Sequence, residues 1–211
     1  MQISWLGLSS FEITTKNPEG EVVVVVNPYD NQTGLRFPRT IEGHLVLVSH
    51  QQPDANNISA VTGYPHLIDI PGEFEVRGVF AFGVSAPLKN GTDHVIFRLE
   101  IEGMNVAHLG ALDRPLTNDE LKRLSTIDIL MVPVGGAGVL TPKEAVEVIA
   151  QIEPRVVIPM TYSLPSLKTD YAEVDAFCKE MGACRKEEMN KYKVTRKDLP
   201  EEDMLIVTLA R

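Results

Sequence analysis

"LVLVSHQQPDANN", residues 45–57, sets two chemically useful side chains at the end of an apolar run. Leu45 to Val48 is short, unbroken and apolar, the pattern of a strand. The run stops at Ser49-His50, and Pro53-Asp54 then turn the chain. An imidazole and a carboxylate four residues apart therefore stand just beyond a strand. Backbone anchored in a sheet can hold such groups while they act on something outside it.

The rest of the chain bounds what that something is. Its 211 residues suffice for one substantial core, and a single domain over residues 1–211 is the expectation. With 44% apolar and 23% charged residues the composition is that of an ordinary globular protein. A formal net charge of −9 opposes binding to nucleic acid or an acidic membrane surface, both of which need cationic surface. The most basic segment, "RKEEMNKYKVTRKD" at 185–198, is interrupted by acids and reads as a solvated face. The opening "MQISWLGLSS" has no basic and apolar leader pattern, and no apolar run approaches membrane-spanning length. A cytoplasmic location is expected, with Cys178 and Cys184 as reduced thiols.

Strands dominate the first half: "QISWL", "FEITT", "EVVVVV", "LVLVS", "HLIDI", "VRGVFAFGV", "HVIFRLEI" and "MNVAHLG", with Gly103 turning a tight hairpin between the last two. The second half alternates helix and strand. "TNDELKRL" and "TPKEAVEVIAQI" each open with a capping box, Thr117 with Glu120 and Thr141 with Glu144. Pro142 suits the first helical position. Ala145, Val148, Ile149 and Ile152 form the buried stripe of the second helix. "DYAEVDAFCKEM" reads as a helix ended by Gly182, and "MLIVTLA" as a closing strand. Such an order predicts layered α/β architecture with helices covering sheets.

Seven local motifs occur in sequence: "WLGLSSFEI", "NPYD", "LVLVSHQQPDANN", "IDIPGEFEVRGV", "IEGMNVAHLGALDRPLT", "ILMVPVGGAGVLTPKEAVEVI" and "PRVVIPMTY". Together they resemble the metallo-β-lactamase superfamily, in particular short zinc-dependent hydrolases similar to ascorbate-6-phosphate lactonase. The resemblance implies an αββα sandwich, two mixed β-sheets face to face with helices outside. It also implies a dinuclear metal centre. Its ligands would be a T-H-x-H-x-D-H loop, a mid-chain His, an Asp in H-x-G-D, and a His after "IPM". Two such metals polarise a carbonyl or phosphoryl oxygen and generate a hydroxide nucleophile.

On the matching positions this chain keeps His50 and Asp54 but has Gln52, Ala55, Leu88, Ala111 and Thr161 where the resemblance implies ligands. Leu and Ala donate nothing, and Gln and Thr oxygens are weak neutral ligands. A catalytic zinc usually has three good protein ligands. The expectation is therefore a degraded metal site with no resident cofactor, or at most one weakly held divalent ion.

His50 and Asp54 are the candidate catalytic pair, either hydrogen-bonded in a cleft or separately capping the strand and the short helix in "ANNISAV". Gln52, Glu73, His108, Asp113 and Thr161 are the candidate cleft residues. His108 has an alternative as a satisfied structural histidine and Asp113 as a turn residue. Glu73 and Glu75 share a strand face. "VGGAGVLTPKE" lacks the spacing of a nucleotide loop, and Ser9-Ser10 lack the elbow of a serine nucleophile. Two functions follow as expectations: a non-catalytic or weakly active binder of a small polar or anionic ligand, or a phosphoester or lactone hydrolase with a rebuilt single-metal site. A homo-oligomer is compatible with the sequence, which carries no pattern that reads out oligomeric state.

Overall fold

The computed structural model describes every residue except 19, 183 and 185–188, so the first four residues of the basic segment lie outside the described residues. The strands are β1 (Gln2–Gly7), β2 (Ser10–Asn17), β3 (Gly20–Val26), β4 (Ile41–Glu42), β5 (Leu45–Leu47), β6 (Val61–Thr62), β7 (His66–Ile68), β8 (Gly72–Val76), β9 (Val79–Ser85), β10 (Val95–Ile101) and β11 (Met104–His108). Helices then alternate with strands: α1 (Asn118–Leu124), β12 (Ile129–Pro133), α2 (Pro142–Ile152), β13 (Val156–Met160), α3 (Val174–Met181), β14 (Tyr192–Lys193) and β15 (Leu205–Ile206).

Two mixed sheets result, one in the order β14-β1-β2-β3-β5-β7 and one in the order β15-β13-β12-β11-β10-β9-β8, with β4 and β6 paired separately. The first is antiparallel from β14 to β3 and parallel from β3 to β7. The second is antiparallel from β8 to β11 and parallel beyond, because α1 and α2 carry the crossovers between β11, β12 and β13. Ile3, Phe11, Ile13, Val24 and Leu45 from the first sheet meet Phe97, Leu99, Met104 and Val106 from the second in one core. Alternation sends Val25, Val46 and Val48 to the opposite face, where Tyr29, Leu35, Phe37 and Ile41 cover them. This is the expected α/β sandwich of two mixed sheets flanked by helices.

Both capping boxes form, with Pro142 at the start of α2. The expected hairpin between β10 and β11 turns on Glu102 and Gly103, both at positive φ. Other expectations need correction. "VRGVFAFGV" is not one strand: Arg77 (φ 50°) and Gly78 (φ 76°) turn β8 into β9, and the Glu75 carboxylate accepts the Gly78 N–H at 2.6 Å. The third helix begins only at Val174, and of "MLIVTLA" only Leu205–Ile206 pairs as a strand. Cys178 and Cys184 are not free thiols; they form a disulfide with Cα atoms 5.1 Å apart. Gly182, at φ 75°, ends α3 in the left-handed conformation.

Parallel strands with helical crossovers bring their C-terminal ends to one side. Asn27 follows β3, Ser49 and His50 follow β5, Leu109 and Gly110 follow β11, and Thr161 follows β13. The loop between β1 and β2 joins them: Leu8 C=O accepts the Thr161 N–H at 3.1 Å, and Ser9 C=O accepts His108 Nε2–H at 2.8 Å.

Candidate functional site

Four residues from two strand ends form a relay. The Asn27 carboxamide accepts the Ser49 N–H at 2.8 Å and donates to the Ser9 and Ser49 hydroxyls at 2.9 and 2.8 Å. Ser49 Oγ lies 2.8 Å from His50 Nδ1, and His50 Nε2 lies 3.1 Å from Asp54 Oδ1. Because the carboxylate accepts, Nε2 carries the proton and Nδ1 accepts the Ser49 hydroxyl. Burial alone would raise the Asp54 carboxyl pKa, but the hydrogen bond from His50 outweighs it and holds the group below its ordinary value. His50 and Asp54 are thus hydrogen-bonded to each other at the end of β5. Asp54 caps no helix; Asn57 precedes the short 3-10 turn at Ile58–Ala60.

A second histidine, His94, completes the cluster. It stands just before β10, and the next residue, Val95, donates its N–H to Ser49 C=O at 2.8 Å. Its ring lies 5.9 Å from that of His50, centroid to centroid. Nδ1–H donates to Ala86 C=O at 3.0 Å, and Nε2 accepts the Ala111 N–H at 3.0 Å. A Cβ on Gly110 would press on His94 Nε2 and come within 2.6 Å of Ser49 Oγ, so only glycine fits there. Burial lowers the His94 pKa to about 3. His108 is also buried and doubly bonded, donating from Nε2 to Ser9 C=O and accepting the Gly110 N–H at Nδ1 at 3.1 Å. Burial lowers its pKa to about 4.

A cleft of about 280 Å³ opens beside this cluster, lined by Ser49, His50, Asp69, Ser85, Asp93 and His94 among others. Asp69 is steadied by Gln51, whose Nε2 donates to it at 3.1 Å. Of the residues expected in a cleft, His50 lines this one and Asp54 bonds to it from behind. Gln52 and Glu73 are exposed outside it. His108 is enclosed beneath, and Asp113 accepts the Lys89 N–H at 3.0 Å, holding two loops together. Thr161 is buried after β13 at φ 54°, a strained conformation for a β-branched residue, and its hydroxyl has no partner among the described residues.

The Ser49-His50-Asp54 chain has the connectivity of a nucleophile, base and orienting acid. Ser49 is only 1% exposed, however, and its oxygen already accepts from Asn27 and packs against Gly110. A carbonyl carbon has no room to approach it. Nor does the donor set fit a dinuclear metal centre. Each nitrogen of His50, His94 and His108 is committed to a hydrogen bond within the protein, and no group of three or more His, Cys, Asp or Glu side chains among the described residues converges on a common point.

His94, Asn27 and Ser49 were not singled out from the sequence. "TDHVIF" reads as the start of a buried strand, and 44 residues separate His94 from His50. The one local signal was the glycine of "HLGALD", whose need for space is visible only when the partners are in place.

Comparisons with known proteins agree with this fold. The profile of the Beta-lactamase superfamily domain matches residues 2–161. A crystal structure of a candidate Zn-dependent hydrolase of the metallo-β-lactamase superfamily from Thermotoga maritima superposes with a TM-score of 0.82 and 31% identity, covering 100% of this chain and 99% of that one. A metal-dependent hydrolase of Methanopyrus kandleri is 25% identical over 86% of this chain and 93% of its own length. One from Thermococcus onnurineus is 26% identical over 82% and 90%. The chain belongs to the metallo-β-lactamase superfamily, as a member whose metal site is degraded.

Proposed function

We propose that this protein is a non-hydrolytic or weakly active member of its superfamily that uses the cleft beside His50 to bind a small polar molecule. One observation carries the reading: the imidazoles around the cleft are fastened to protein partners at both nitrogens. Groups that in a metal centre would share one ion here build the wall of a polar cavity. Asp69 and Asp93 give that wall a negative bias, with Ser85 as a neutral hydrogen-bonding group. The ligand class it suits is neutral and hydroxylated or amine-bearing, in preference to an anion.

A second reading has its own observation. His50 Nε2 and Asp54 Oδ1, at 3.1 Å, are close enough to turn together onto one weakly held divalent ion, and the relatives named above are called hydrolases. A panel of phosphodiester, lactone and β-lactam substrates, assayed with and without added Mn²⁺ or Zn²⁺, separates the readings. Background turnover is expected for both the parent and His50→Ala, together with a thermal shift by polyols or amines in the parent that the variant loses. Metal-dependent turnover abolished in His50→Ala would instead establish the hydrolase.

A further inference from the structure

On the outer face of the second sheet, one row of paired residues runs Glu73, Phe82, Arg98, Ala107, Leu130 and Val157 from β8 to β13. Its inner end is apolar and covered. Toward the β8 edge a cavity of about 410 Å³ opens, lined by Pro71, Gly72, Glu73, Phe82, Arg98 and, from the last turn of α1, Arg123, together with the β9 backbone. Pro71 is the one lining residue it shares with the cleft beside His50.

Arg98 is unusually placed for an arginine in an acidic protein. Its guanidinium carbon lies 3.8 Å from the Phe82 ring centroid, which holds the planar group flat. Nη1 donates to Asn105 Oδ1 at 3.3 Å. Nε is buried and has no acceptor among the described residues. Neither Arg98 nor Arg123 belongs to an ion pair among them, although acids outnumber Lys and Arg by 29 to 20. A buried charged donor left unmatched is costly, and a fold with carboxylates to spare has supplied none. By contrast, Arg114, close to α1, is bonded by both terminal nitrogens to Glu120.

We propose that this cavity is a binding site for a small oxyanion, a phosphate or carboxylate group held by Arg98 and Arg123. Stacking on Phe82 fixes the orientation of the Arg98 donors before the ligand arrives, and Arg123 supplies a second positive charge. A planar guanidinium matches two oxygens of such a group, which a lysine does not. Glu73 lines the same cavity and weakens the hold on an anion, so Glu73→Gln tightens it.

The test is titration with inorganic phosphate and, separately, acetate, at matched ionic strength, followed by calorimetry and by backbone amide shifts in β9 and β10. Saturable binding of at least one ion is expected, and which ion binds tells phosphate from carboxylate recognition. Arg123→Gln and Arg98→Lys should each weaken it by about tenfold, the scale of one lost hydrogen bond to a charged group. Arg123 is exposed, so its variant reads the site even where Arg98→Lys disturbs folding. Absence of saturable binding by either ion, or binding that Arg123→Gln leaves unchanged, overturns the proposal.

Discussion

Two imidazoles in this protein are neutral by construction. His94 and His108 each donate from one nitrogen and accept a backbone N–H at the other, so a second ring proton would face a donor. Burial adds to this, and their pKa values fall to about 3 and about 4. In the unfolded chain both titrate near ~6.5. Between those limits the unfolded chain takes up protons that the native state refuses. Stability present above about pH 6.5 is therefore lost as the pH falls toward the folded pKa values, by up to about 1.4 kcal/mol per pH unit for each group. The lowered pKa of Asp54 acts in the same direction at lower pH. Urea midpoints measured from pH 7 to 4.5 should fall in the parent, and fall less steeply in His94→Gln and His108→Gln. Equal slopes in all three proteins would remove the imidazoles as the cause.

Strands and helices here depend on different forces, so they should fail differently. Val24 lies in β3 between β2 and β5 and is 0% exposed, facing the core between the sheets. An aspartate there has no partner, and Val24→Asp should cost several kcal/mol, roughly 3 or more. The α2 cap is local: Thr141 Oγ1 accepts the Glu144 N–H at 3.3 Å, and Glu144 returns a bond to the Thr141 N–H at 2.9 Å. Thr141→Ala should cost about 1 kcal/mol. Equilibrium urea unfolding checks both, and a Val24→Asp protein as stable as the parent would contradict the packing of β3.

At the scale of the molecule, the apolar layer between the sheets joins the strands whose ends carry the site. A chelator should leave the melting temperature unchanged, because only a ligand bound by the native state raises it. Protein prepared without added zinc should contain well under about one ion per chain by elemental analysis, since two good ligands do not make a firm zinc site. Two firmly held ions per chain, with melting lowered by chelator, would refute the degraded site.

Patterns that act over a few residues were legible in the sequence. The apolar runs at Val22–Val26, Leu45–Val48 and Ile129–Val132 place strands, and the Thr-Glu spacings at 117–120 and 141–144 place helix starts, because each is satisfied by neighbours along the chain. The loss of metal ligands was equally legible, since Ala111 and Leu88 lack donor atoms in any fold. The boundary at Arg77-Gly78 was not, because a β-rich run across a two-residue turn looks continuous until the two halves pair. The disulfide was not, because a C-x5-C spacing alone does not decide whether the two thiols meet. Only tertiary structure decided what took over the old site. His94 reaches His50 through the pairing of Val95 with Ser49, and Arg98 meets Phe82 through the register of β9 and β10. Sequence determines which groups can bond; the sheet decides which of them are near enough to do so.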